Sequence, residues 1–351
     1  MNKGTISIIA ISIALGIATF SAFNSIEAPQ TPLDVSTVQK FNLWAVKYGK
    51  TYFSPKERAY RTRVFAETLK LVETINSDPT KSYKLGLNKF ADMSHQEVLI
   101  KYTGRKPLTG KIPYAKEEEK PLTKPPIEKN WVKLGKVTKV KDQQDCGSCY
   151  AFSACGAIES YLLIKHNLRT DLSEQQIVDC STSYGNNGCD GGLEEDTLAY
   201  ANAKGGITTE SVYPYRAKKG KCRFKSNTAI PTKFKYKLIN PGKDGESKLV
   251  KLLVKYPVSV GIAVNRQFDL YKSGIFNGNC PSRPSGINHA VVAVGYGVDR
   301  SSGKKYFIIK NSWGRGWGEV GYMRLRRGVK RQYGVCAVAA EVLDAEVTKY
   351  K

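Results

Sequence analysis

The chain has 351 residues, enough for one large domain or two ordinary ones, and its 41% hydrophobic and 25% charged content excludes a disordered or fibrous protein. Lys and Arg number 55 against 31 Asp and Glu, a formal charge of +24. Residues 1–124 hold 19 basic and 11 acidic groups and residues 125–351 hold 36 and 20; with no zinc-finger spacing, basic zipper or aromatic-interleaved patch, this spread excess predicts attraction to anionic surfaces rather than specific nucleic-acid reading.

Lys3 followed by the short apolar run Ile6–Phe20 and the small residues Ser21 and Ala22 reads as a secretory signal over about residues 1–22. The run is short and rich in Ser, Thr, Ala and Gly, so no stable membrane span is expected once it is removed. Secretion implies an oxidising compartment, where eight Cys can pair. Val38, Phe41, Leu43, Trp44 and Val46 form a helical apolar cluster. Pro55 to Ile75 reads as a longer helix, with Arg61, Phe65, Leu69 and Val72 on one face. Tyr83, Leu85 and Leu87 alternate as a strand. Residues 107–124 are Pro-rich, contain Glu117–Glu118–Glu119 and keep no apolar period, which predicts an exposed linker open to nicking. It separates a front piece, 23–106, from the remainder, 125–351.

In the remainder, Cys149 to His166 predicts a helix buried on most sides, Ser173–Val178 a short helix, and Leu193–Lys204 a third after Gly191–Gly192. Beyond about Thr232 the expected strands are Val258–Val264, Ala290–Val298, Tyr306–Lys310, Gly321–Leu325 and Cys336–Val342. The fold class is therefore α+β: a helix-rich lobe over about 130–235, a sheet-rich lobe over 236–351, and a cleft between them.

The densest chemistry is Gln143–Gln144–Asp145–Cys146–Gly147–Ser148–Cys149–Tyr150. Two Cys three apart also fit a redox pair or half a zinc site, but no second ligand pair and no thioredoxin-like context accompany them. No metal or cofactor is expected. Cys149 opens the apolar helix, where free N–H groups favour a thiolate. Of three His, His95 lies in the front piece and His166 reads as a helix-terminal residue. His289 sits at the mouth of an apolar strand. Asn311 closes the strand 306–310, where its amide oxygen can accept the imidazole N–H, with Trp313 shielding that bond.

These motifs resemble the papain-like cysteine proteases, the cathepsin L group in particular. The resemblance implies a two-lobed fold with a mainly helical inhibitory pro-domain in front. It implies Cys149 as nucleophile, His289 as acid and base, Asn311 as the group orienting His289, and Gln143 with the Cys149 N–H as oxyanion donors. It implies a thiol depressed far below its ordinary ~8.5, hence activity in acid. Tyr150 stands where the family has Trp, and Gln144 where it has Gly. The family pattern implies disulfides Cys146–Cys189, Cys180–Cys222 and Cys280–Cys336, leaving Cys155 as a free core thiol. The pro-segment motifs match at Glu57, Arg61, Phe65 and Asn76, with Thr68 and Val72 departing, and at Gly86, Asn88, Phe90 and Asp92. By the same resemblance the pro-segment runs backwards through the cleft, and protonation of Asp92, Glu57 or their neighbours releases it.

Substrate backbone is expected along Gly191 and Gly192. Leu193 and Glu194 resemble one wall of the pocket for the second residue before the cut, Glu341 its floor, and Trp313 and Trp317 an apolar side near the leaving group. An acid at Glu341 implies that Arg or Lys is accepted beside bulky apolar residues, unless Glu341 turns to solvent. The expected function is a monomeric, secreted or lysosomal/vacuolar cysteine endopeptidase made as a zymogen. Its expected partners are peptides, its own pro-segment, cystatin-type inhibitors and anionic glycans. The competing readings are a catalytically silent binding protein of this fold and a basic secreted polyanion binder.

Overall fold

A computed structural model describes residues 33–108, 114–115 and 124–350. The expected signal, residues 23–32 of the front piece, residues 109–113 and 116–123 of the expected linker and the final residue lie outside the described residues. Three helices open the described residues: α1 (Val35–Lys47), α2 (Pro55–Ser77) and α3 (His95–Tyr102). Ser54 caps α2 by accepting from the Glu57 N–H, with Pro55 just inside. A reciprocal Ser94–Glu97 box starts α3. Phe41, Trp44 and Ala45 form the buried face of α1, against Phe65 and Leu69 of α2. Leu43 and Val46 do not join them: they are 74% and 82% exposed, because spacings of three and four select only one side of a helix.

Strand β1 (Tyr83–Leu85) extends the main sheet by pairing antiparallel with β7 (Tyr271–Phe276). A Cβ on Gly274 would lie 2.5 Å from the Ser82 carbonyl oxygen, so glycine permits this approach. Tyr83, Leu85, Phe90, Met93, Val98 and Tyr102 share one apolar core with the sheet-rich lobe. Tyr114–Ala115, inside the expected linker, forms a short strand, β2, parallel to β5 (Ile230–Ile239) at Leu238 and Ile239. That part of the linker therefore has regular structure.

Helix α4 (Cys149–Lys165) is buried nearly all round, and α5 (Glu174–Cys180) and α6 (Glu194–Lys204) flank it. The short strands β3 (Lys129–Asn130) and β4 (Gly206–Ile207) pair with β8 and β5. The sheet-rich lobe adds β6 (Val258–Ile262), β8 (His289–Val298), β9 (Lys305–Lys310), β10 (Tyr322–Arg326) and β11 (Val342–Tyr350). The sheet order is β1–β7–β10–β9–β8–β6–β11–β5–β2. Two helices interrupt these strands, the amphipathic α7 (Gly245–Lys255) and the short α8 (Arg266–Asp269), which the strand pattern does not anticipate.

Two expectations need correction. Cys336–Val342 is not a strand: Cys336 and Ala337 have φ of 53° and 58°, which breaks an extended chain, and a 3-10 turn spans Val335–Ala337. The lobes also do not divide cleanly at residue 235. Phe234 and Leu238 of β5, with Leu343 and Val347 of β11, pack in the core of the helix-rich lobe. At the other end, Trp131 donates from Nε1 to the Leu253 carbonyl at 2.8 Å, and β3 pairs with β8. The two ends of the 125–351 part thus cross between lobes.

Phe65→Ala should remove about 3–5 kcal/mol from the front helical unit. Thermal unfolding of the full chain should show an earlier first transition with the later one unmoved; a single unshifted transition would contradict the packing. Gln144 has φ of 51°, in the region that favours glycine, with its side chain exposed. Gln144→Gly should therefore raise stability by about 1 kcal/mol in urea unfolding, and a destabilised variant would refute the strain.

Candidate active site

Cys149 begins α4 and is fully buried. Its loop is clamped from behind: Cys146 is disulfide-bonded to Cys189, and the Gly147 N–H donates to the Cys189 carbonyl at 2.9 Å. Disulfides also join Cys180 to Cys222 and Cys280 to Cys336, while Cys155 is a free buried thiol one turn and a half inside α4. Burial dominates the titration of the Cys149 thiol, with the Ala290 N–H, next to His289, acting the other way.

His289 opens β8 and Asn311 directly follows β9, neighbouring strands in the sheet. The His289 Nε2 lies 2.8 Å from the Asn311 Oδ1, so Nε2 carries the proton and Nδ1 is the open nitrogen. Among the described residues that Nδ1 and the Asn311 Nδ2 have no hydrogen-bond partner. The same Oδ1 accepts from the Ser312 N–H at 2.8 Å, fixing the amide. Trp313 stacks on the imidazole with centroids 4.8 Å apart and covers the bond. Trp317 packs edge-on against Trp313 and donates to the Asp269 carbonyl at 3.0 Å.

Gln143 is buried, accepts from the Ser312 Oγ at 2.7 Å and donates one amide N–H to the Cys146 carbonyl at 2.8 Å. An amide nitrogen carries a second N–H. Tyr150 fills its site by donating to the Gly188 carbonyl at 2.9 Å.

Across this group runs the end of the front segment. The N–H groups of Gly104 and Arg105 donate to the Asn288 carbonyl at 3.2 and 3.1 Å. Gly192 donates to the Gly104 carbonyl at 2.9 Å and accepts from the Lys106 N–H at 3.1 Å, in a parallel bridge. A Cβ on Gly191 would come within 2.5 Å of the Gly104 oxygen, so glycine there gives the crossing backbone close access, whereas a Cβ on Gly192 would meet the Asn186 Oδ1 at 2.0 Å. Trp313 donates from Nε1 to the Tyr102 carbonyl at 2.8 Å. Under this cover burial pushes the Cys149 thiol up to about 12 and the His289 imidazole down to about 4. The depressed thiol implied by the motif is thus absent from the covered state, because no water reaches either group.

Leu193 is half-buried at the N-cap of α6, and Glu194 and Glu341 are both buried. Glu341 does not turn to solvent. Both carboxylates face Arg105: its Nε lies 3.1 Å from the Glu194 Oε2, and its Nη1 pairs with the Glu341 Oε2. Burial alone would lower the Arg105 guanidinium, but Glu194 and Glu341 together raise it above its ordinary value.

The remaining front-segment positions brace this crossing. Arg61 pairs with Glu97 at 2.7 Å and donates to the Asp92 carbonyl at 3.1 Å. Glu57 accepts from the Phe53 N–H at 3.0 Å, and Asp92 takes Lys50 and Tyr52, each at 3.0 Å. Asn76 holds Leu85 through both backbone groups, at 2.9 and 3.0 Å. The Gly86 N–H donates to Leu270 at 2.8 Å, and Asn88 donates to the Asp269 carbonyl at 2.8 Å. Phe90 stacks edge-on against Tyr102 and Trp313. Thr68, which replaces an expected amide, accepts from Arg266 and donates to the Val64 carbonyl. Sequence reasoning missed Arg105; the signal was the basic pair Arg105–Lys106 after Gly104, where the helical piece ends. Among the described residues no group of three His, Cys, Asp or Glu is arranged to hold a metal ion, and no helix is long and apolar enough to cross a membrane.

A family described as papain family cysteine protease matches residues 125–345, and the cathepsin propeptide inhibitor domain matches 41–98. The chain is 36% identical to ananain of Ananas comosus over 91% of its own length and 89% of that protein's. It is 38% identical to a senescence-specific cysteine protease of Arabidopsis thaliana, over 93% and 96%. Among solved structures it resembles a recombinant stem bromelain precursor (TM-score 0.76, 35% identity, 90% of this chain and 100% of that one). A digestive procathepsin L 3 from Tenebrio molitor larval midgut is similar at TM-score 0.76 and 33% identity, over 90% and 100%. With the Cys149 loop, the His–Asn pair and a segment lying across them, these matches lead to one conclusion: the chain belongs to the papain family of cysteine proteases and carries that family's inhibitory propeptide.

Proposed function

We propose that this zymogen becomes an acid-active endopeptidase in which Cys149 attacks the peptide carbonyl, His289 protonates the leaving amine and then activates water against the thioester, and Asn311 orients His289. Gln143 and the Cys149 N–H receive the oxyanion. The observation that carries this reading is the His289–Asn311 bond at 2.8 Å, which leaves Nδ1 as the working nitrogen. Residues 1–22 act as a secretory signal, 23–106 as the inhibitor, 107–124 as the cut linker and 125–351 as the released peptidase, delivered outside the cell or to an acidic organelle. Burial of Glu341 against a guanidinium supports acceptance of Arg or Lys beside bulky apolar residues two before the cut. Cystatin-type inhibitors and anionic glycans are its further expected partners.

Purified precursor moved from about pH 7 to about pH 5 with mild thiol reductant should lose the mass N-terminal to about residue 125 and gain turnover. The Cys149→Ala chain beside it should do neither. Turnover by Cys149→Ala would remove the assigned nucleophile.

Release in acid also needs a weakening inhibitor. Burial pushes the Glu97 carboxyl up, but the Ser94 N–H and Arg61 outweigh it, leaving it below its ordinary 4.5. A depressed carboxylate contributes stability above its ordinary value and loses it as pH falls through the depressed one. In a Cys149→Ala background, Glu97→Gln should lower the melting temperature at neutral pH and flatten its fall between about pH 5 and about pH 3. Because this loss comes only below the ordinary 4.5, Glu97 weakens the inhibitor in stronger acid than the pH 5 step, and parallel pH curves would exclude even that contribution. After activation, Glu341→Ala should lower the Arg-to-Leu preference at the second residue before the cut, and an unchanged preference would sink that assignment.

A further inference from the structure

The pocket that holds Arg105 is built from more than Glu341. Arg105 is 4% exposed, Glu194 2% and Glu341 3%. The guanidinium uses two edges: Nε toward Glu194, at 3.1 and 3.4 Å to its two oxygens, and Nη1 toward Glu341. Nη1 also donates to the Lys106 carbonyl at 3.4 Å. Glu194 is itself fixed by the Ser259 Oγ, which donates to it at 3.1 Å, and Ser259 lies 2.7 Å from the Ser153 Oγ on α4. Gly261 supplies the room. A Cβ there would lie 3.1 Å from the Arg105 Nε, 3.2 Å from the Glu341 Oε2 and 2.9 Å from the Ile287 Cγ2.

Two carboxylates converging in a dry pocket repel each other and demand a cation. A guanidinium satisfies both because its planar fork donates along separate edges, whereas an ammonium presents one compact charge. The backbone on either side of Arg105 meets the Asn288 carbonyl and Gly192, one of the two glycines along which substrate backbone is expected.

We propose that Glu194 and Glu341 do two things at once: they select arginine at the second residue before the cut, and they hold Arg105 as an internal decoy for that residue. Latency and arginine selectivity then rest on the same two carboxylates, with Glu194 a specificity residue equal to Glu341 and Gly261 the opening that admits the guanidinium. This rests on the proposed peptidase function, whose own failure is distinct: a wild type silent on every peptide after acid release.

The test uses the full precursor in three single variants. Arg105→Leu should turn over substrate at neutral pH at least about tenfold faster than wild-type precursor, with Arg105→Lys between them. The peptidase released from either precursor is the same polypeptide, so equal turnover after release shows that the variant folded. Released Glu194→Gln peptidase should lose at least about tenfold in the ratio of kcat/KM for two fluorogenic peptides differing only in Arg or Leu at the second residue before the cut. An Arg105→Leu precursor as silent at neutral pH as wild type would overturn the decoy, and an unchanged ratio in Glu194→Gln would overturn the shared pocket.

Discussion

Burial of the thiol and the imidazole under a crossing backbone is the constraint on which the rest of the precursor depends. Cys149 and His289 each need an exposed or mutually charged setting to ionise. Covered by Tyr102–Lys106, each is instead driven to its neutral form, the thiol to about 12 and the imidazole to about 4. Latency therefore has two layers: a steric one, backbone lying along the proposed substrate path, and an electrostatic one, the proposed nucleophile held as its neutral thiol.

Among the described residues, the carboxylate contacts across the interface that keeps the cover in place share one polarity. Lys89 meets Asp142 at 2.9 Å, Lys101 and Tyr102 meet Asp145, His95 meets Asp269 at 2.7 Å, and Arg105 meets Glu194 and Glu341. In each case the propeptide supplies the donor and the peptidase the carboxylate. The exposed pairs contribute little individually, about 0–1 kcal/mol. Adhesion comes mainly from Tyr83, Leu85, Phe90, Val98 and Tyr102, which share the core of the sheet-rich lobe. The charges fix register, and the apolar residues hold.

What the sequence made legible was local. Cys149 at the start of an apolar helix, His289 at a strand mouth and Asn311 at a strand end all declare themselves through neighbours a few residues away. Arg105 did not, because its partners lie 89 and more residues away, in α6 and just before β11. Nor did the buried charges behind the site: Lys141 pairs with Glu159 at 2.8 Å and with Glu174 at 2.7 Å, each an ordinary surface residue by type. The run Cys336–Val342 misled because its apolar residues suit a strand while two left-handed φ values turn the chain. The return of β11 to the other lobe is equally invisible in a linear pattern, since Leu343 and Val347 would pack as well in either core.

On this view the propeptide silences Cys149 by keeping it dry and neutral. The direct measurement is the rate at which iodoacetamide alkylates Cys149 at about pH 7, read by mass, in intact precursor and in released peptidase. The account predicts a rate in the precursor roughly 100-fold or more lower, rising to the peptidase value once the propeptide is gone. Equal rates in the two forms would mean that the thiol is already ionised and reachable beneath the cover, and the account would fail.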